Sequence, residues 1–193
     1  MSASKSELRA KVRSRRALRT VADLESDRDK LAAALLSLCV NLQVRTLAAF
    51  LPTATEPPID GFLQEAMRTG VTVLVPISQP DASMIWTALS PNIVVTNSPL
   101  GIPEPRIDKD AVTLRTEALE AVDLILVPAA SIDSRGTRLG WGKGYYDRAL
   151  ETLNGRVASV AVVFEDEFVS ELPAESHDQP VNGVVTPSGT HLF

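Results

Sequence analysis

DLILVPAASIDSRGTRLGWGKGYYDR, residues 123–148, is the stretch that decides the fold of this chain. It begins with an apolar run that stops at Pro128, which is typical of a buried strand. Four glycines then fall within nine positions, at Gly136, Gly140, Gly142 and Gly144. The order of strand, glycine loop and helix start is typical of a phosphate site, because unshielded backbone N–H groups and the helix dipole both attract an anion.

Charged and aromatic side chains are set among these glycines. The loop carries two cations, Arg138 and Lys143, and the helix after it starts with Tyr145, Tyr146 and Asp147. Arginine and lysine hold phosphate oxygens, and a carboxylate is a hard oxygen ligand for a divalent cation. We therefore expect the loop to bind a nucleotide together with a divalent metal.

The glycine pattern differs from two familiar nucleotide motifs. A P-loop requires G-x-x-x-x-G-K-[ST], and although Gly142 and Lys143 fit it, position 137 is Thr and position 144 is Gly. The dinucleotide fingerprint G-x-G-x-x-G fails because its last position is Tyr145. A glycine-rich turn without a ligand is the remaining alternative at this level.

The rest of the chain has the pattern of an α/β protein. We predict helices at residues 4–20, 59–69, 116–121 and 144–153, and a further helix that starts at Asp23 or Ser26 and runs to about Asn41. We predict strands at residues 46–51, 71–75, 84–89, 93–96, 123–127, 157–164 and 183–186, a polar loop after Pro128 and a proline-rich loop at residues 98–105. Apolar strands that alternate with helices indicate a mostly parallel sheet covered on both faces. Ligands of such sheets bind beyond the carboxyl ends of the strands, which here are the loops after Leu51, Pro76, Pro128 and Phe164.

Composition narrows the class of protein. The 193 residues are 45% hydrophobic, which favours one globular domain over residues 1–193. A net charge of -5 argues against a general nucleic-acid binder. The single cysteine, Cys39, allows no intrachain disulfide, which suits a reducing cytosol. No apolar stretch reaches the ~20 residues that are needed to span a bilayer. We expect a cytoplasmic monomer with neither nucleic-acid nor membrane partners.

The string RLGWGKGYYDR resembles the signature of the 5-formyltetrahydrofolate cyclo-ligase family, also called methenyltetrahydrofolate synthetases. The signature is matched at Pro128, Asp133, Gly136, Arg138, Leu139, Gly140, Gly142, Gly144, Tyr145, Tyr146 and Asp147. Further matches along the chain are Lys5, Leu8 and Arg9, then Leu51 and Glu56, then Gly101, Ile102, Glu104 and Pro105, and finally His177 and Asp178. The departures from the family pattern are Ala129, Ile132 and Trp141.

This resemblance implies a fold and a reaction. The fold is the three-layer, Rossmann-like α/β arrangement shared with sugar-phosphate isomerases and CoA transferases. The reaction uses ATP and Mg²⁺ to close 5-formyltetrahydrofolate into 5,10-methenyltetrahydrofolate, with release of ADP and phosphate. The γ-phosphoryl group activates the formyl oxygen, so no protein nucleophile is needed, and catalysis is positioning plus charge stabilisation.

The resemblance also implies a role for each matched residue. The ATP-binding residues would be Lys5, Arg9, Arg138, Leu139, Gly140, Trp141, Gly142, Lys143, Gly144, Tyr145 and Tyr146. The folate would be bound by Leu51, Glu56, Trp141, Gly142, Lys143, Gly144 and Tyr145. Lys143 and Arg138 would act in catalysis, and Asp147 and Asp178 would bind Mg²⁺. Without the family match, Lys5 and Arg9 would be interpreted as part of a solvated basic helix face, since five other cations surround them.

Two rival functions remain at the level of sequence. A phosphosugar isomerase on the same fold would need a general base over the sugar, and the glycine loop offers no clear base. A non-catalytic folate or nucleotide binder would be favoured by loss of Lys143, Asp147 or Glu56, and all three are present.

Overall fold

The computed structural model describes residues 4–108, 111–175 and 178–193. The α-helices are α1 Lys5–Arg16, α2 Val21–Asn41, α3 Asp60–Arg68 and α4 Tyr145–Leu153, with 3₁₀ helices at Thr116–Ala121 and Glu165–Glu167. The strands are β1 Thr46–Ala48, β2 Thr72–Ser78, β3 Met84–Ala88, β4 Val95–Asn97, β5 Pro103–Pro105, β6 Leu114–Arg115, β7 Leu124–Pro128, β8 Ser131–Asp133, β9 Arg138–Leu139, β10 Ser159–Val162, β11 Phe168–Val169, β12 Gly183–Thr186 and β13 Gly189–Leu192. No helix within these ranges has the length and apolar character to cross a bilayer.

The first two helices begin at capping boxes that are visible in the sequence. The Ser4 side chain accepts a hydrogen bond from the Glu7 backbone N–H, and the Glu7 carboxylate accepts one from the Ser4 N–H. Thr20 and Asp23 do the same for α2, so this helix starts earlier than the predicted start at Asp23 or Ser26. The two helices are therefore separated by a short turn.

The central sheet has eight strands in the order β13-β12-β10-β7-β1-β2-β3-β6. The five strands from β12 to β2 are parallel. At the edges, β13 pairs antiparallel with β12, β3 pairs antiparallel with β2, and β6 pairs antiparallel with β3. The expectation of a mostly parallel sheet flanked by helices is confirmed. The parallel strands place the carboxyl ends of β7, β1 and β2 side by side on one edge of the sheet.

Alternation along the strands produces the three layers. Leu124 and Leu126 of β7 face the apolar cluster that contains the buried residues of α2 and α3. Ile125 and Val127 point to the opposite face, where Leu150 and its neighbours in α4 cover the sheet. Successive side chains of a strand point to opposite faces, so a strand that is apolar throughout requires helices on both sides.

The prediction of a polar loop after Pro128 is wrong, because the chain forms a hairpin of β8 and β9 there. Asp133 in this hairpin is fully buried and accepts hydrogen bonds from the backbone N–H groups of Arg135, Thr137 and Leu172. Burial alone would raise the pKa of Asp133, but these donors hold it below its ordinary value. Strands of two or three residues are too short for a periodic signal, which explains the miss.

The second loop prediction, at residues 98–105, is also incomplete. Its last residues form β5, which pairs antiparallel with β4 in a separate two-stranded sheet. Pro103 and Pro105 flank Glu104 in this strand, and prolines are unusual in a strand unless it lies at an edge. The prolines led to a loop prediction, although residues 103–105 form a short edge strand that carries the buried carboxylate of Glu104.

Helix α1 packs against a third sheet, of order β11-β8-β9, and its position is fixed by a buried ion pair. The Arg16 guanidinium donates to both carboxylate oxygens of Glu167, at 2.7 and 2.8 Å, and its Nη2 also donates to the carbonyl of Ala129 at 2.8 Å. Both side chains are only 1% exposed. Burial raises the pKa of Glu167, and the hydrogen bonds and charge of Arg16 act against that rise.

We predict that Glu167→Ala lowers the free energy of unfolding by about 3–5 kcal/mol, because it leaves the Arg16 charge buried without its partner. Chemical denaturation followed by circular dichroism would measure the loss. The matched control is Glu65→Ala, which removes an exposed ion pair to Arg68 and should cost at most about 0.5 kcal/mol. Equal losses for the two variants would contradict the structural role of the buried pair.

Candidate active site

A cavity of about 430 Å³ lies at the carboxyl ends of β1, β2 and β7. The loop after Leu51 lines it, as predicted, and so do Pro76 and Ser78 of β2 and Pro128, whereas the loop at residues 79–83 does not. The loop after Phe164 does not line it. Phe164 itself is buried, and the guanidinium of Arg16 lies over its ring. The charged residues of the wall are Arg13, Glu56, Glu104, Arg138, Lys143 and Asp147.

The glycine loop enters this cavity and ends at the first turn of α4. Gly142 and Gly144 have φ values of +87° and +73°, a region that residues with a Cβ rarely adopt. Gly144 is also the N-cap of α4 and provides no side chain to accept the first helical N–H groups. These donors and the dipole of α4 are therefore left for an anion in the cavity.

Arg138 lies at the base of the loop with its side chain only 3% exposed. Its Nη2 donates a hydrogen bond to Oδ1 of Asp147, and its Nη1 donates to the carbonyl of Pro128 at 3.3 Å. The Nε of Arg138 is buried and has no partner among the described residues. The two side chains that we expected to bind phosphate and metal thus contact each other.

The lack of a side chain at Gly140 leaves space for this arginine. A Cβ at position 140 would lie 2.6 Å from Nη1 of Arg138, closer than atoms can approach. The carbonyl of Gly140 accepts a hydrogen bond from Nε of Arg9 at 2.7 Å. Gly140 therefore allows two guanidinium groups to approach the same turn of the loop.

A row of cations on one face of α1 lies toward the glycine loop, although Arg13 stays exposed. The row consists of Lys5, Arg9, Arg13 and Arg16, which are three or four positions apart and so share one helix face. The guanidinium groups of Arg13 and Arg16 lie 5.3 and 5.0 Å from the ring centroid of Trp141. The interpretation of Lys5 and Arg9 as a solvated basic face is therefore wrong.

Lys5 is placed next to the second predicted metal ligand. Its Nζ donates to both carboxylate oxygens of Asp178, at 2.8 and 2.6 Å, and lies 3.4 Å from Glu175. Because Lys5 and Arg9 are one helical turn apart, Asp178 and the glycine loop contact adjacent turns of α1. His177, which completed the His–Asp match in the sequence, lies outside the described residues.

The predicted folate-binding residues lie on the neighbouring strand end. Leu51 and Glu56 follow β1 and line the cavity. One carboxylate oxygen of Glu56 accepts a hydrogen bond from the backbone N–H of Thr53 at 2.9 Å. A carboxylate held by the backbone in this way has a fixed direction and keeps acceptor capacity for a ligand.

The two tyrosines of α4 have different surroundings. Tyr145 donates a hydrogen bond to the carbonyl of Gln79 at 3.4 Å, whereas the buried hydroxyl of Tyr146 has no partner in the described chain. Burial, together with the charge of Glu56, raises the pKa of Tyr146 well above its ordinary range. The ring of Tyr146 also packs edge-on against buried Trp86, with centroids 6.4 Å apart.

Two other predicted residues are placed in opposite environments. Lys143 is exposed at the rim of the cavity, as expected from its position in the loop. Leu139 packs with Val12 and Leu172 in the core beneath α1 and does not line the cavity, so its side chain supports the loop from below. Its backbone carbonyl accepts a hydrogen bond from the Ala130 N–H at 2.7 Å.

Two charged residues of the wall were not among the predicted site residues. Arg13 could have been found from its spacing with Lys5 and Arg9, because all three fall on one helix face. Glu104 belongs to the segment that matched the family at Gly101, Ile102, Glu104 and Pro105, but it received no role because that segment was predicted as a proline-rich loop. Only the pairing of β4 with β5 brings Glu104 to the cavity.

We predict that Gly140→Ala weakens ATP binding at least about tenfold while the protein stays folded, because the added methyl group displaces the guanidinium of Arg138. Isothermal titration calorimetry and a melting curve would measure both effects. Gly61→Ala is the matched control, since its Cβ would be 3.7 Å from the nearest atom and would raise helix stability slightly. Unchanged ATP affinity in Gly140→Ala would argue against this account of the loop.

Comparisons with known proteins agree on one family. The sequence profile described as the 5-formyltetrahydrofolate cyclo-ligase family matches residues 1–187. A 5-formyltetrahydrofolate cyclo-ligase of Mycolicibacterium smegmatis is 36% identical over 148 residues, which is 74% of each chain. The Escherichia coli K12 protein of the same name is 29% identical over 150 residues, 76% of this chain and 80% of its own.

Solved structures give the same result. The NMR structure of 5,10-methenyltetrahydrofolate synthetase from Aquifex aeolicus superposes with a TM-score of 0.80 at 28% identity, covering 97% of this chain and 92% of its own. A synthetase from Mycoplasma pneumoniae has a TM-score of 0.73 at 18% identity over 94% and 98%, which supports the fold alone. With a family match over nearly its whole length, the chain belongs to the 5-formyltetrahydrofolate cyclo-ligase family.

Proposed function

We propose that this chain uses ATP to convert 5-formyltetrahydrofolate into 5,10-methenyltetrahydrofolate, with release of ADP and phosphate. The observation that supports it best is a single cavity with two chemically different sides. The glycine loop, Arg138 and the start of α4 form a side that suits phosphates, and Leu51 with Glu56 forms a side that suits a pterin. Family membership points to the same reaction.

The chemistry of the substrate explains why such a site is sufficient. The formyl group is an amide, and its oxygen leaves poorly as hydroxide. Transfer of the γ-phosphoryl group to that oxygen converts it into a phosphate leaving group. Nitrogen 10 then attacks the formyl carbon and gives up its proton, the C–O bond breaks, and inorganic phosphate departs with the bond electrons. The chain has to hold two substrates in line and stabilise charge.

The residues of the loop are suited to that task. Lys143 at the rim is a mobile point charge, and Arg138 is a planar fork fixed by Asp147 and Pro128. We infer that both contact the transferred phosphoryl group and that Arg9 supports the loop from α1. Apolar contact from Leu51 and hydrogen bonds to Glu56 would orient the pterin.

The carboxylates of Asp147 and Asp178 suit an Mg²⁺ ion that binds together with the nucleotide. Within the part of the chain that the structure describes, no three His, Cys, Asp or Glu side chains form a ready-made metal site. Protein-bound Mg²⁺ usually takes one or two carboxylates together with phosphate oxygens and waters. Asp147 and Asp178 would supply the carboxylates, and the bound cation would offset charge on the phosphates.

The ion pairs of the site imply that the nucleotide and Mg²⁺ bind together. Arg138 contacts Asp147, and Lys5 contacts Asp178, so two of the proposed phosphate ligands are each paired with a proposed metal ligand. We infer that the phosphates take over the two cations while Mg²⁺ takes over the two carboxylates. Either exchange alone would leave buried or half-buried charge without a partner.

We predict that Mg²⁺ strengthens ATP binding at least about tenfold in the wild type and far less in Asp147→Asn. When Arg138 leaves Asp147 to bind phosphate, the wild-type carboxylate needs Mg²⁺ as a new partner, whereas the neutral amide of the variant does not. Calorimetry with ATP alone, in Mg²⁺ or in EDTA, would measure this without turnover. Asp60→Asn removes an exposed partner of Arg28 and should keep the wild-type dependence. The same Mg²⁺ dependence in all three proteins would refute the coupled exchange.

We predict that Lys143→Ala abolishes turnover and changes the free energy of unfolding by no more than about 0.5 kcal/mol, because Lys143 is exposed. The ultraviolet band of the methenyl product reports turnover when the protein is mixed with 5-formyltetrahydrofolate, ATP and Mg²⁺. The matched control is Lys30→Ala, an exposed lysine of α2. A large drop in melting temperature for Lys143→Ala would contradict its placement.

The same assay on the wild-type protein separates the rival functions. Product that forms only with ATP supports the cyclo-ligase. Bound folate without product would favour a non-catalytic binder, and ATP-independent conversion of a sugar phosphate would favour an isomerase. The single domain, the monomeric state and the cytoplasmic location stay predictions.

A further inference from the structure

Glu104 is a buried carboxylate in the wall of the cavity. It lies in β5 and is 8% exposed, and that remaining surface faces the cavity that it lines. Its Oε1 accepts a hydrogen bond from the backbone N–H of Ser78, the last residue of β2, at 3.1 Å. This contact fastens the hairpin of β4 and β5 to the central sheet.

The other oxygen of Glu104 accepts no hydrogen bond from the residues that the structure describes. Among the described residues we find neither a hydrogen bond to its Oε2 nor an ion pair to the side chain. Its neighbours in the hairpin, Ile102 and Pro103, are apolar. A carboxylate that lines a cavity with a single backbone donor keeps acceptor capacity, which a ligand in the cavity can use.

Glu104 enters the cavity from the β2 side. Its Oε1 is held by Ser78, which ends β2, whereas Glu56 follows the neighbouring strand β1. Arg138 lies at the base of the glycine loop, next to the end of β7. We call Arg138, Lys143 and residues 140–144 the cationic end, and Glu56 with Glu104 the carboxylate end.

We propose that Glu104 is a second recognition residue for the reduced pterin, and that it accepts hydrogen bonds from ring N–H groups that Glu56 does not reach. This inference rests on the proposed function and extends it to specificity. A reduced pterin has N–H donors on both of its long edges, at the 2-amino group with N3 and at N8. Two carboxylates fixed by backbone N–H groups on neighbouring strand ends can serve the two edges.

The hairpin would also contribute apolar contact to the same ring. Leu100 at its turn lines the cavity although it is 43% exposed, and Ile102 lines it as well. Leu51 forms part of the wall after β1. A flat ring bound between these residues would present its edges to the two carboxylates, which combines apolar burial with directed hydrogen bonds.

The glutamine variant separates this role from a structural one. In Glu104→Gln the side-chain carbonyl can still accept from the Ser78 N–H, so the hairpin stays attached to β2. Only the negative charge and one acceptor are lost, and removal of a buried charge should leave the melting temperature unchanged or higher. A residue that only fastens the hairpin would therefore tolerate the change.

The test is binding of 5-formyltetrahydrofolate without ATP, measured by calorimetry. We expect Glu104→Gln to raise the Kd for the folate by about tenfold to a hundredfold, as loss of a charged hydrogen bond does, and to leave the Kd for ATP with Mg²⁺ within about twofold. Glu56→Gln should weaken folate binding in the same way. Glu25→Gln, which removes the same charge from an exposed position on α2, should bind as the wild type does.

The outcomes distinguish this inference from the function on which it rests. Wild-type folate affinity in Glu104→Gln would overturn the role of Glu104 while the proposed function stands. A parallel loss of ATP affinity and melting temperature would show that Glu104 only supports the hairpin, which also overturns it. Failure of the wild-type protein to bind 5-formyltetrahydrofolate would overturn the proposed function and this inference together.

Discussion

The buried ion pair between Arg16 and Glu167 fixes α1 on the rest of the molecule, and the cationic end of the cavity depends on it. Arg16 also donates to the carbonyl of Ala129, directly after β7, so the pair ties α1 to the strand from which the glycine loop departs. Arg9 and Lys5, about two and three turns from Arg16, therefore face the same side of α1. Arg9 meets the carbonyl of Gly140, and Lys5 meets Asp178. A buried pair of this kind adds little net stability but strongly disfavours arrangements that separate its members.

Charge is distributed unevenly along the cavity, and this asymmetry indicates which chemical groups the ligands carry at each end. At the cationic end, Arg138 and the neighbouring Lys5 are each held by a carboxylate, whereas Lys143 at the rim forms no ion pair with the described residues. At the carboxylate end, Glu56 and Glu104 each have a single backbone donor and, within the described ranges, no ion pair. The first region attracts an anion through Lys143 and the start of α4, and Arg138 can join by exchanging partners, whereas the second offers acceptors directly to N–H groups. A ligand pair with phosphates on one side and a donor-rich ring on the other satisfies both conditions.

Much of the local structure near the site could be predicted, while the arrangement around it could not. The strand that ends at Pro128, the glycine loop and the helix that starts after Gly144 were predicted from the sequence pattern within a few residues. The hairpin of β8 and β9 and the strand that carries Glu104 escaped prediction, because segments of two or three residues show no period. The prediction that Lys5 and Arg9 share a helix face was right, but the sequence did not show that this face is covered. What each residue does to a ligand stays a prediction.

The sequence by itself determined the features that depend on backbone energetics over short distances. Positive φ at Gly142 and Gly144, the capping boxes and the apolar strands that need helices on both faces are of this kind. Only the tertiary structure decided the contacts between distant segments, such as Lys5 with Asp178 across 173 positions and Glu104 with the end of β2. The physical reason is that an ion pair or a cavity wall forms where strand order and helix docking bring groups within a few ångströms. Those distances depend on the whole sheet, so no local pattern encodes them.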